Sequence, residues 1–435
     1  MSSFNFFQHW YPLLPIEDIE PQKATTATIL GIPLVIWKPP SSTTYQVFLD
    51  RCPHRLAPLS EGRIDDKTGN LMCSYHGWQF ATNGNCTRIP QAENQDIIAQ
   101  NSHNFAATVF PSCQENDLLW VWMDANSPEI AEKTPLPLSP QIDASQGFVW
   151  SSMVRDLEYD WQILIENVAD PSHVPFAHHG LQGNRDRAVP IPIKIVASSM
   201  DLIEATANSS KITFQPPCRL EYSIAFGDGS KQVGLITYCL PTTPGKSRLV
   251  AQFSRNFATK LNYIIPRWWD HLQNRNLILD GDMILLHQQE QLLQQTNWKT
   301  AYKMPTSADR LVIEFHSWFD RYCEGKLPWD KVGITPITKS TLETPREVLL
   351  DRYHQHTQNC SSCRNALKRI KLGQWLLVTY FIAIASIVAV LPDNLRISFG
   401  IWLMISALLG LGIAAVLRFW LMPKFYFVDY IHSER

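Results

Sequence analysis

No long run of one charge sign crosses the body of this 435-residue sequence, whose formal net charge is −2 with 18 % charged residues. A nucleic-acid partner is therefore not expected. No flavin or nicotinamide fingerprint appears either, so any electrons the protein uses must come from outside. The nine cysteines form no dense framework, and their odd number excludes complete pairing. A reducing, cytosol-side compartment is the expectation. The opening stretch MSSFNFFQHWYPLLP lacks a basic segment followed by an apolar core, so no secretory signal is expected. Internal repeats are absent as well.

What is present begins with length, which suffices for two globular domains with sizeable cores. Composition changes near the C-terminus. Trp375 to Leu391 is 17 residues without a charge, and Ile397 to Leu417 is 21 more. Both runs are long enough to cross a bilayer, with buried core helices as the plainer alternative. PDNLR between them allows only a hairpin connection. Arg364, Lys368, Arg369 and Lys371 precede the first run, while Arg418 and Lys424 flank the end of the second. By the positive-inside bias, the large N-terminal part and the short tail both face the cytoplasmic side. An integral membrane protein with two spans is expected.

The body is punctuated by strand and turn signals. Ala27 to Lys38 and Tyr45 to Leu49 read as strands, and Asn83-Gly84 as a hairpin turn. Strands dominate to about Asp124, followed by a Pro/Ser-rich linker over 125–142. From Arg155 the pattern reads as helical, with Leu157, Trp161, Leu164, Ile165 and Val168 on one face. Strand-like segments continue to about Phe257, and a second helical run spans Trp268 to Leu293.

Chemistry concentrates first in CPHRLAPLSEGRIDDKTGNLMCSYHGWQF, residues 52–80. Cys52, His54, Cys73 and His76 form C-x-H and C-x-x-H halves separated by 18 residues. Thiolates and imidazoles at short spacing suit borderline-soft ions, and zinc would accept such a set. A second, weaker cluster lies in ENVADPSHVPFAHHG, where His173 and His178 are five apart. On one unbroken helix these would diverge by about 140°. Pro175 would bend or end that helix, which softens the objection. His179 is a rival for the second position. Farther on, DGDMILLHQQEQL offers Asp280, Asp282 and Glu290 as carboxylates.

The first quartet, with Gly77-Trp78 following it, closely resembles the Rieske motif, in which two cysteines hold one iron of a [2Fe-2S] cluster and two histidines hold the other. Respiratory Rieske proteins carry an additional disulfide cysteine on each tip. Ala57 and Tyr75 stand there instead, which favours a lower-potential relay over a quinol-linked carrier. ENVADPSHVPFAH in turn resembles the Rieske oxygenase motif through Asn167, Asp170, His173 and His178. The resemblance implies mononuclear Fe(II) ligand roles for His173 and His178, with Asp170 bridging to the Rieske histidine of a neighbouring subunit. A homo-oligomer, most often a trimer, follows from it. The family's aspartate stands seven before a glutamine, as Asp282 does before Gln289, so Asp282 is the expected third ligand and Asp280 its rival.

DRYHQHTQNCSSC (Asp351 to Cys363), the two apolar runs, FYFVDYIH, HWYPL and IPQ narrow the likeness to the pheophorbide a oxygenase and chlorophyllide a oxygenase branch. Resemblance covers essentially the whole chain. It implies an α+β protein: an all-β Rieske domain over 1–124, the 125–142 linker, and a helix-grip-like catalytic domain over 143–350. A C-x-x-C linker over 351–371, a transmembrane hairpin over 372–422 and a cytoplasmic-side tail over 423–435 complete it. The expected activity is oxygenation of a chlorophyll-derived tetrapyrrole with O2 and a ferredoxin-type donor, at a photosynthetic membrane whose lipid holds such substrates. A redox-sensing Rieske component of a membrane translocon is the alternative. For Cys360 and Cys363 the resemblance suggests a thiol–disulfide switch, against two plain reduced thiols. No partner pair that would complete a metal site with them is visible in the sequence. Aromatic-rich IIPRWWDHL, Ile264 to Leu272, is expected to serve core packing or to line an apolar pocket.

Overall fold

The structure, a computed structural model, describes residues 3–335 and 344–434. It divides into two compact units, Met1–Ile264 with Asp282–Glu343, and Ile265–Gly281 with Thr344–Arg435.

The first unit begins with small antiparallel sheets. Trp10–Pro15, Leu118–Trp122 and Ser112–Glu115 form one, and Thr25–Ile29, Ile32–Trp37, Gln46–Leu49 and Val109–Phe110 another. The stretch read as one strand from Ala27 to Lys38 is thus a hairpin. Leu30 and Gly31 both take positive φ, 51° and 76°, as a tight two-residue hairpin turn demands. A leucine in that conformation is uncommon, which is why the turn is hard to see in sequence. Asn83-Gly84 does turn the chain between Gln79–Phe80 and Cys86–Arg88, with Gly84 at φ 84°.

A seven-stranded antiparallel sheet follows, ordered Val149–Leu157, Lys246–Arg255, Lys231–Thr243, Arg219–Phe226, Ser210–Gln215, Ile203–Ala207 and Ile193–Ser198. Arg155 and Leu157 belong to its first strand, paired with Leu249 and Ser247, so the helix expected from Arg155 starts later. It spans Trp161–Ala169, and the Asp160 side chain accepts the Trp161 N–H at 2.8 Å. Its buried Trp161, Leu164 and Ile165 recur at helical spacing. Trp161 donates its indole N–H toward the carbonyls of Pro217 and Cys239, 3.1 Å from each. The second packing helix, Arg310–Cys323, brings Phe315 and Phe319 to 5.7 and 5.4 Å from the Trp161 ring. This aromatic cluster fixes the helix that leads into the 167–178 motif. Truncating such a tryptophan typically costs about 3–5 kcal/mol.

The segment 125–142 carries the helix Pro128–Lys133 and then buries two polar side chains. Ser139 donates to Glu221 at 2.8 Å and Gln141 to Ser223 at 2.9 Å, which ties this segment to the large sheet.

The second unit contains the helices Ser361–Val390 and Ile401–Val416, which pack on each other; Tyr380 and Ser406 share a 2.8 Å hydroxyl hydrogen bond. Two helical stretches here, Ser361–Val390 and Asp393–Phe425, are long and apolar enough to cross a membrane. Trp375, Val390, Trp402 and Phe419 expose most of their surface. Of the aromatic stretch in this unit, Trp268 stacks with Phe425 at 6.1 Å, whereas Ile265 and Trp269 stand exposed.

Candidate active site

Two knuckles of the first unit carry the Cys/His quartet, and their backbones repeat each other. Cys52 N–H donates to the Ala57 carbonyl at 2.8 Å and Cys73 N–H to that of Trp78 at 2.9 Å. Leu56 and Gly77, each four residues beyond its cysteine, donate back to the cysteine carbonyl at 2.9 Å. Both have positive φ, 61° and 71°. The second knuckle sits between Leu71–Met72 and Gln79–Phe80 of a four-stranded sheet completed by Arg63–Ile64 and Cys86–Arg88.

Cys52 and Cys73 are buried in a core with Trp37, Phe48, Leu59 and Phe80. Burial, with the nearby Cys73 adding to it, pushes the Cys52 thiol up to about 11. The imidazoles of His54 and His76 lie 4.5 Å apart. Trp78 stacks flat on His54 at 4.6 Å and 6°, and Tyr75 lies 3.9 Å from the His76 ring. His54 Nδ1 is buried and has no hydrogen-bond partner among the described residues. An unsatisfied buried nitrogen beside two buried thiols fits a metal cluster as the missing partner. Neither tip carries a disulfide.

The second set is built from a helix end, a single turn and a long helix. Trp161–Ala169 stops with Asp170 as its C-cap, ahead of Pro175. Pro175 instead lies in the first turn of the four-residue helix Val174–Ala177, where its missing N–H costs nothing. His173 and His178 are the two caps of that turn, so the five-residue spacing never has to place them on one helical face. Asp282 comes from the helix Asn276–Leu293. His178 Nε2 lies 3.4 Å and His173 Nε2 3.9 Å from Asp282 Oδ1, and one donor atom from each residue lies within 4.8 Å of the others.

His173 Nδ1 sits 2.5 Å from the Asp170 carbonyl. An Nδ1–H donated there leaves the Nε2 lone pair facing Asp282. Two neutral imidazoles and one carboxylate are the donor set of a facial triad, which suits Fe(II) and leaves coordination positions open.

The rivals are placed elsewhere. His179 accepts the Arg185 N–H on its Nδ1 at 3.1 Å. Asp280 is bound by Arg352, with Arg Nε and Nη2 at 2.7 and 2.5 Å. Glu290 accepts from Gln294 at 3.3 Å. Asn167 is half-buried in the last helical turn; its carbonyl accepts the Asp170 N–H at 3.2 Å, and its amide makes no hydrogen bond to the triad among the described residues. The Asp170 carboxylate is pinned by Ser172, whose N–H and hydroxyl donate at 2.7 and 2.5 Å, and remains 28 % exposed.

One group goes unnoticed in the sequence reading: Glu166, buried beneath the motif. His316 Nε2 and the Tyr302 hydroxyl both lie 3.0 Å from it, and Gln289 donates to Tyr302 at 2.7 Å. Gln289, seven residues after Asp282, thus braces this network. Gln162, one turn earlier, also donates to Glu166 at 3.3 Å.

Comparison with known proteins identifies two families along the chain. Residues 9–106 match the Rieske [2Fe-2S] domain and residues 214–299 the family described as pheophorbide a oxygenase. A chloroplastic pheophorbide a oxygenase of Oryza sativa subsp. japonica is 36 % identical, covering 99 % of this chain and 85 % of the relative. The chloroplastic flavonoid 8-hydroxylase 2 of Ocimum basilicum is 34 % identical over 89 % of this chain and 79 % of its own. Among solved structures, dicamba monooxygenase bound to dicamba superposes with a TM-score of 0.61 at 18 % identity, covering 76 % of this chain and 99 % of that one. That likeness is one of fold.

Proposed function

Because the chain belongs to the pheophorbide a oxygenase family of Rieske oxygenases, we propose that it oxygenates an apolar, chlorophyll-derived tetrapyrrole. The observation that carries this reading is the convergence of His173, His178 and Asp282 in a chain that also holds the Rieske knuckles. A translocon component serving only as a redox sensor has no need of that second set.

Cys52, His54, Cys73 and His76 are the proposed cluster ligands, and His173, His178 and Asp282 those of the mononuclear iron. Held by the triad, such an iron supplies the activation of dioxygen. The chain's own residues orient and insulate. Asp170 fixes the His173 tautomer through its carbonyl, while its partly exposed carboxylate is directed by Ser172. We assign that carboxylate to an imidazole N–H of a Rieske histidine in a neighbouring subunit of a homo-oligomer, making it the electron path between centres. A ferredoxin-type donor is assigned to the cluster. The two apolar helices are assigned to a chloroplast-type membrane with the body on its stromal side, where a lipid-soluble macrocycle is concentrated.

Electron paramagnetic resonance on anaerobic, detergent-purified protein tests the proposal, with nitric oxide reporting the mononuclear iron. Pheophorbide, chlorophyllide and a flavonoid are added in turn. The expected result is a reduced Rieske signal plus an iron–nitrosyl signal that shifts with a tetrapyrrole. A shift with the flavonoid alone would overturn the substrate class. A Rieske signal with no iron–nitrosyl from iron-replete protein would establish the sensor reading instead.

A further inference from the structure

The second unit holds a convergence of ligand atoms that the oxygenase chemistry does not use. His271, His356, Cys360 and Cys363 each offer one atom, all within 4.8 Å of one another, and all four residues are buried. His271 Nδ1 lies 3.0 Å from His356 Nε2 and 3.7 Å from each of the two sulfurs. Cys363 Sγ is 3.4 Å from His356 Nε2. No disulfide joins the cysteines.

We propose that these four residues bind one four-coordinate metal ion of the zinc class. Zn–N bonds of 2.0–2.1 Å and Zn–S bonds of 2.3 Å give a tetrahedron with edges of about 3.3–3.8 Å, which the measured separations approach. A second Rieske-type cluster is excluded by the same distances. It would spread the thiol pair and the imidazole pair over two metals, whereas here sulfur and nitrogen share one centre. Charge agrees too: two thiolates and two neutral imidazoles neutralise a divalent ion, as a fully buried site requires.

Local structure prepares the ligands. Cys360 is the N-cap and Cys363 the third residue of the long helix Ser361–Val390, where the helix dipole favours thiolate. His271 opens the segment His271–Arg275, and His356 lies in Tyr353–Thr357. An ion would therefore cross-link three segments at the base of the first apolar helix. Leu272, Ala366, Leu367, Leu421, Met422 and Phe425 wall it off in one apolar cluster. The closed ligand set marks the role as structural.

The test uses full-length protein in detergent, produced with iron and zinc in the medium and purified under reductant. Only preparations whose Rieske signal accounts for full cluster occupancy are counted. The expected result is one zinc per chain beyond the iron. Replacing zinc by cobalt should give sulfur-to-cobalt charge transfer and the strong visible bands of a four-coordinate ion. Cys363→Ser and His356→Ala should each remove that zinc and that spectrum while the Rieske signal persists, and Cys113→Ser should leave both. Absence of extra zinc and of the cobalt–thiolate spectrum in the unmutated protein would overturn the proposal without reliance on any variant. So would zinc that survives both Cys363→Ser and His356→Ala, since that ion would sit at the triad instead.

Discussion

Arg352 and Asp280 form a fully buried bidentate pair, with two guanidinium nitrogens 2.7 and 2.5 Å from one carboxylate oxygen. Arg352 also donates to the Lys424 carbonyl at 3.1 Å. Asp280 is thereby committed to holding its own unit together, while Asp282 is the carboxylate beside the histidines. Removing one member of such a pair leaves an uncompensated buried charge and costs about 3–5 kcal/mol. Arg352→Met should therefore lower thermal stability strongly in detergent melts, with iron content at the triad retained. Asp282→Asn should do the reverse, keeping the melt and losing the mononuclear iron.

His173→Ala should abolish the iron–nitrosyl signal and leave the Rieske spectrum intact. His179→Ala is the informative companion, because its ring accepts the Arg185 N–H outside the triad. It should keep its iron. Loss of iron in His179→Ala with retention in His178→Ala would reverse the assignment.

Asp170→Asn preserves the carbonyl that orients His173 and the size of the side chain, yet removes the charge. Both metals should remain bound, turnover should largely stop, and a pre-reduced cluster should fail to reoxidise with substrate and oxygen. Normal single-turnover reoxidation would remove Asp170 from the electron path.

Gly77 has φ 71°, and a Cβ there would meet Pro90 Cγ at 3.0 Å. Gly77→Ala should destabilise the second knuckle by roughly 1–2 kcal/mol, seen as reduced cluster occupancy. Leu56→Gly, at the equivalent place in the first knuckle, relieves the same backbone demand and should retain the cluster.

With its thiol pushed up to about 11, Cys52 stays protonated through the neutral range in the metal-free protein. Ligation must expel that proton, so cluster reconstitution should become more favourable as pH rises towards that value. Iron and sulfide titrations of the apo-protein near neutral pH and at about pH 8.5 would show it; equal affinities would contradict the burial argument.

Much of this was legible in the residues because ligand sets at short spacing advertise themselves. Cys52, His54, Cys73 and His76 need only two turns to converge, and the oxygenase motif needs only one helix end. What escaped depended on backbone states or on distance along the chain. Leu30 turns a hairpin in a conformation that leucine seldom adopts. His173 and His178 act as caps, a role that helical periodicity cannot anticipate. His271 lies 89 residues before Cys360, so C-x-x-C looks unpaired until the fold brings its partners in. Helix Arg310–Cys323 carries its signal in a buried stripe of Leu311, Phe315, Trp318 and Phe319, interrupted by the polar His316.

The triad is also asymmetric in its access. The His173 side chain is 23 % exposed, whereas those of His178 and Asp282 are 2 % and 5 % exposed. The most open of the three is thus the residue whose ring is tethered to the Asp170 backbone. A bulky flat molecule lying against His173 would cover the open side of the ligand set. Substrate and iron would then protect each other: the occupied enzyme should surrender its iron to a chelator far more slowly than the free one.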